Sequence, residues 1–180
     1  MPSKALLQFP GASKIFAEDR FDHDLATDFF FAFSRAEYAL KASRLAYAGG
    51  FGEAKPCWRD FAARVDGNLV WDELEPSVSD AVRLLESNPP WQQTWEHGQL
   101  DWRKREPRKN SSRLETLLDS LKGIRNNLFH GGKELHGRAV VNERDADLLR
   151  AGLIVLRFVI SLDAEVAQRF SDLGPEWPVA

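Results

Sequence analysis

Cysteine is nearly absent: Cys57 is the only one in 180 residues. That excludes an intrachain disulfide and a cysteine-based metal cluster, and it suits a reducing compartment, so a cytoplasmic location is expected. A lone thiol after a proline reads as a buried structural cysteine. Histidine is scarce as well, with four in the chain. His23 and His97 have no metal-ligand spacing, and neither HxxxH nor HExxH occurs, so no metal site and no cofactor are expected. Long apolar runs are missing too. The most apolar stretch, "GLIVLRFVISL" (Gly152 to Leu162), is too short to span a bilayer and carries Arg157, which argues for a buried core helix and no membrane. The start, "MPSKALLQFPG", has a short apolar run broken by proline and makes a poor signal peptide. Strand alternation is rare, with "GRAVVN" and "GNLVW" the only candidates. An excess of positive charge is lacking: the net charge is -3. Bulk electrostatics therefore does not recruit nucleic acid, and an anionic partner needs a local basic patch.

What is present is helical periodicity. A chain of this length suits one domain with a real core. Residues 1–21 read as an N-terminal arm, 22–172 as a helical domain and 173–180 as a C-terminal tail. A helix is predicted from Asp24 to Ala48, roughly 35 Å long at 1.5 Å per residue, with Gly49-Gly50 as its stop. "WRDFAARV" reads as a short helix. "EPSVSDAVRLLESNPP" reads as another, with Ser77 as N-cap and Pro89-Pro90 as its end. Residues 91–111 read as a Trp-rich, then basic connection. Ser112 and Glu115 form a capping box, and Leu114, Leu117, Leu118, Leu121, Ile124 and Leu128 recur at spacings of three and four behind it. Gly131-Gly132 stops that helix. A last helix is predicted from near Asn142 to about Phe170. The expected fold is all-α, an up-and-down bundle of four to six helices.

The stretch "GIRNNLFHGGK" (Gly123 to Lys133) interrupts this pattern with chemistry. Asn126 and His130 are four apart and share a helix face, with Arg125 beside them. Histidine moves protons near neutral pH. Arginine is a fixed planar cation suited to phosphate oxygens and to charge developing on them. Asparagine orients the histidine or holds a substrate group; Asn127 is a supporting candidate. The alternative is a helix end in which Arg125 and His130 cap carbonyls and favour the dipole. Glu37, inside the apolar face of the first helix, either orients Arg125 across the bundle or pairs with Lys41 at i, i+4. Arg103, Lys104, Arg105, Arg108, Lys109 and Arg113 precede the motif helix; they form either a phosphate-tracking patch or a solvated loop. Trp91, Trp95 and Trp102 stand just upstream, for core or dimer packing or for base stacking. His136 is either a second proton carrier or a loop residue.

Arg125, the polar Asn126 directly after it, and His130 after the intervening "NNLF" resemble the signature of the HEPN superfamily. Its members carry Arg, four to six residues and His in small helical bundles. The motif lies at the end of the penultimate long helix, as in that family, and "FFFAFSRAEYALK" resembles its first helix. The resemblance covers roughly residues 22–172. It implies a metal-independent endoribonuclease, a toxin or defence effector acting on RNA. It also implies a homodimer in which two Arg–His motifs share one composite cleft, with an antitoxin or other partner protein. Some members have lost catalysis, so a non-catalytic RNA- or nucleotide-binding or regulatory module is the alternative. Toxins silenced by nucleotide transfer often carry a tyrosine two positions after the histidine; here that position is Gly132.

Overall fold

The computed structural model describes residues 23–129 and 143–172. The arm, the tail and residues 130–142 lie outside the described residues; with them go His130, His136, Gly131-Gly132 and "GRAVVN". Six α-helices are described: α1 His23–Ala42, α2 Trp58–Val65, α3 Pro76–Ser87, α4 Arg113–Phe129, α5 Glu143–Ser161 and α6 Ala164–Ser171. Two antiparallel hairpins stand among them, β1 Ala46–Ala48 with β2 Ala54–Pro56, and β3 Gln92–Glu96 with β4 Gln99–Arg103. The chain is therefore mostly helical, and the expectation of an all-α fold is corrected by these hairpins. No described helix is long and apolar enough to cross a membrane.

The first correction lies at the end of α1. The helix stops at Ala42, not at Gly49-Gly50. Arg44 adopts a left-handed φ of 62°, its N–H donates to the Lys41 carbonyl at 3.2 Å, and the Leu45 N–H donates to the Leu40 carbonyl at 2.9 Å. This is a Schellman stop with arginine where glycine is usual. It frees residues 46–56 to form the first hairpin, and Gly49 and Gly52 serve its turn. The second correction is β3–β4, which replaces the expected Trp-rich connection. His97 and Gly98 both have positive φ, 51° and 78°, the geometry of a two-residue hairpin turn. Trp95 pairs with Leu100 and Gln93 with Trp102 across the strands.

Three smaller differences follow from caps. Helix α3 begins at Pro76 with Glu75 as N-cap, so Ser77 is not the cap; proline suits the first helical position because its missing N–H is an orphan there anyway. The expected last helix is two, because the Asp163 carboxylate accepts from the Val166 N–H at 3.0 Å and starts α6 afresh. "GNLVW" is not a strand; it joins 3-10 turns at Asp66–Asn68 and Trp71–Glu73. The capping box is as expected: the Glu115 N–H donates to Ser112 Oγ at 3.2 Å and the Ser112 N–H to Glu115 Oε2 at 3.0 Å.

One core joins the helices. Leu114, Leu117, Leu118, Leu121 and Ile124 are buried, and Leu128 is half-buried against them. Helix α3 packs on α5, and α1 packs on α5 and α6. Three helices converge at Gly152 of α5. A Cβ there meets Phe29 Cε2 of α1 at 2.7 Å and Ile124 Cδ1 of α4 at 3.0 Å. That close approach sets the spacing of α1 and α4 beside Arg125. Farther along α1, Arg35 donates to the carbonyls of Arg169 at 2.9 Å and Phe170 at 3.1 Å, and to that of Asp172. A side chain of the first helix thus caps the last described one.

Candidate functional site

Arg125 follows Ile124 on α4, so burial of Ile124 turns the neighbouring guanidinium to the edge of the core facing α1. There it donates to Glu37 Oε1 at 2.9 Å. The two side chains are 31% and 26% exposed, so this ion pair is more shielded than an ordinary surface pair. Phe33, one turn before Glu37, puts its ring beneath the guanidinium, 5.3 Å from centroid to Cζ. Phe33 in turn packs against Trp58 of α2, with ring centroids 5.2 Å apart. Glu37 therefore pairs with Arg125 across the helices. Arg125 Nε is buried with no hydrogen-bond partner.

Asn126 and Asn127 do not gather at that point. Asn126 is exposed. Asn127 donates to the Trp91 carbonyl at 2.9 Å and ties the second hairpin to α4. His130 lies outside the described residues, one position beyond α4. Trp91 and Trp102 pack where the second hairpin meets α4 and α5, and Arg144 lies 5.9 Å from the Trp91 ring. Trp95 projects from the hairpin, 69% exposed.

The basic segment is largely tied down. Arg103 pairs with Glu96. Arg105 donates to the Asp119 carbonyl at 2.9 Å, and Arg108 pairs with the Asp119 carboxylate at 2.9 Å. Arg113 makes two bonds to Glu86, at 2.6 and 3.0 Å, and lies 4.0 Å over the Trp71 ring. Its pKa is raised above the ordinary arginine value, first by the hydrogen bond to Glu86. Lys104 and Lys109 are exposed, with no ion-pair partner among the described residues. Arg105 and Arg108 thus hold the loop onto α4, and Arg113 ties α4 to α3.

A cleft of about 750 Å³ opens beside Arg125. Its walls come from α1, the first hairpin, the start of α2 and one side of α4. Six cations line it, Lys41, Lys55, Arg59, Arg108, Lys122 and Arg125, against two carboxylates, Glu37 and Asp60. Asp119 stands behind the wall and pairs with Arg108 and with Lys122, the latter at 2.5 Å. Lys55 pairs with Glu53 at 2.9 Å. That bond, with backbone N–H groups, holds the Glu53 pKa down at about 2, and the Lys55 pKa is raised in return. Cys57 is half-buried on the cleft wall, not buried as the sequence implied.

Lys55, Arg59 and Lys122 were not singled out by sequence reading, and Lys41 only as a pair for Glu37. Lys122 carried a signal, three positions before Arg125 and so on the same helix face. Lys55 and Arg59 carried none, because only tertiary packing brings the hairpin and α2 to α4. Among the described residues, no group of three or more histidine, cysteine or acidic side chains forms a metal site. The arrangement is suited to binding a polyanion and to placing one fixed guanidinium against it. No family model, curated protein or solved structure matches the chain.

Proposed function

We propose that this chain is a metal-independent endoribonuclease of HEPN type, a toxin or defence effector whose helices form the up-and-down bundle of that family. The observation that carries the reading is the fixed Arg125 guanidinium, held by Glu37 over Phe33 at the edge of a cation-lined cleft. In the reaction the RNA 2′-hydroxyl attacks the adjacent phosphorus as His130 takes its proton. The bond from phosphorus to the 5′-oxygen breaks, and an imidazolium protonates the leaving oxygen. Arg125 stabilises the charge gathering on the phosphoryl oxygens. One imidazole serves poorly as base and acid at once. Two protomers that bring their Arg125–His130 motifs together supply both, which is the physical reason for a homodimer.

The test is to express the unsubstituted chain and His130→Ala and sequence RNA 5′ ends. The expected outcome is growth arrest and RNA fragments ending in 2′,3′-cyclic phosphate for the former, and loss of both for the latter. A general acid–base residue contributes about 10²- to 10⁴-fold and a donor to transition-state charge about 10²- to 10³-fold, so His130→Ala and Arg125→Ala should each lower cleavage at least a hundredfold. Identical cleavage maps would sink the enzyme reading. One observation favours a second reading, a module that binds RNA or a nucleotide without cutting. Asn126 is exposed and Asn127 is engaged with Trp91, so the polar residues of the motif are spread around α4. In that case binding survives His130→Ala and no cyclic phosphate forms.

A further inference from the structure

The chain carries a net charge of -3, yet one cleft has six cations on its walls against two carboxylates there and two more that pair with those cations from behind, Glu53 and Asp119, a local excess of two. A local excess of this kind attracts anions by focusing the field between low-dielectric walls. Three features within the cleft narrow what the anion is.

The first is the start of α2. Cys57 occupies its N-cap and makes no side-chain capping bond, and residues 57–60 all line the cleft. The first-turn N–H groups of a helix carry partial positive charge and bind phosphate where no side chain caps them. The second is the face of the first hairpin. Tyr47 and Lys55 are direct cross-strand partners and stand on the same side of the ribbon, both on the cleft wall. Tyr47 is 55% exposed, so its ring is available to a flat ligand. The third is a shortage of acceptors in the wall. Trp58 is 6% exposed and its indole N–H has no partner, and Arg125 Nε is likewise unpaired.

A cation and a helix start for a phosphate, beside an aromatic ring for a base, describe a nucleotide. We propose that the cleft is a subsite for one nucleotide of single-stranded RNA. Its phosphate sits between Lys55, Arg59 and the start of α2, and its base lies against the Tyr47 ring. The identity of the strand as RNA rests on the function proposed above; the anion-and-ring chemistry of the cleft does not. Asp60 opposes the phosphate, pairing with Arg59 at 3.8 Å, and Glu53 holds Lys55 at 2.9 Å, so binding competes with both carboxylates.

The test is binding of a short 2′-O-methyl RNA oligonucleotide to the full chain, measured over a range of salt. The probe lacks the 2′-hydroxyl nucleophile and so survives a cleaving enzyme. Tyr47→Ala is expected to weaken binding roughly tenfold, with Tyr47→Phe restoring it, because a stacked base contributes about 1–3 kcal/mol. Lys55→Gln should lower the salt slope by about 0.7, the value for one contact to a single strand. Asp60→Asn should tighten binding roughly two- to fivefold, as removal of a weak surface competitor would. Arg83→Gln, on the exposed face of α3 and outside the cleft, should leave affinity within about twofold as a site remote from the contact. Equal affinity of the unsubstituted chain, Tyr47→Ala and Lys55→Gln overturns the subsite, as does an absence of binding. If cleavage persists while these variants leave binding and KM unchanged, the nuclease stands and the subsite falls. If no RNA is cut but the cleft variants lose affinity as expected, the subsite stands and the nuclease falls.

Discussion

Replacing Gly152 by alanine puts a Cβ within 2.7 Å of a Phe29 ring carbon and 3.0 Å of Ile124 Cδ1. Both neighbours are buried, at 0% and 4% exposure, so neither moves without disturbing the core. Overpacking of this kind costs about 1–3 kcal/mol, and thermal unfolding of Gly152→Ala should show a lower Tm. Because Ile124 adjoins Arg125, cleavage should fall with it below the unfolding temperature. Glu37→Gln poses a separate test at this scale. It keeps a hydrogen-bond acceptor for Arg125 and removes the charge that fixes the guanidinium. As a positioning change it should lower kcat roughly tenfold with KM nearly unchanged, and a KM rise alone would assign Glu37 to substrate binding. That partnership was legible in the sequence because a carboxylate inside an apolar helical face needs a partner. The choice between Arg125 and Lys41 was not, since periodicity gives the face of α1 and not what crosses to it.

Helices were legible where capping and stripe agreed, as from Ser112 to Leu128. They were misjudged where the stop did not use glycine or proline. Arg44 ends α1 in a left-handed conformation that costs an L-residue roughly 1–2 kcal/mol; Arg44→Gly removes that strain and should raise stability by about 0.5 kcal/mol after its larger loss of chain entropy. Ser112→Ala, by contrast, should cost about 1 kcal/mol as a lost N-cap. Denaturant midpoints moving in opposite directions for the two variants would bear out both assignments, and a loss of stability in Arg44→Gly would refute the first. The second hairpin escaped notice because its strands are built of tryptophan, glutamine and charged residues, and its turn is a His97-Gly98 pair. In the first hairpin, the Glu53–Lys55 bond has a pH signature. A carboxylate with a depressed pKa stabilises its partner state above the ordinary value near 4.5 and loses that effect as the pH falls through about 2. The Glu53 carboxyl resonance should therefore titrate near pH 2 by NMR, and Lys55→Gln should move its midpoint upward, toward the ordinary carboxylate range.

Over the whole molecule, an overall negative charge hides a cleft with a modest excess of cations, and sequence totals cannot reveal it because the cations come from segments far apart in the chain. Assembly is the test at this scale. A composite site predicts sedimentation at twice the 20.4 kDa of one chain, with specific activity lost on dilution into monomer; a monomer that cleaves at full rate would remove the shared cleft from the mechanism. Arg35 adds a consequence in time. It joins the first described helix to carbonyls 134 and 135 positions later. Synthesis proceeds from the N-terminus, so α1 leaves the ribosome long before α6 exists to be capped. The helix that carries Glu37 then waits without that clasp until α6 has been made. Under the function proposed above, this delay falls while the chain is still tethered to the messenger that encodes it, and the clasp closes only when α6 has emerged.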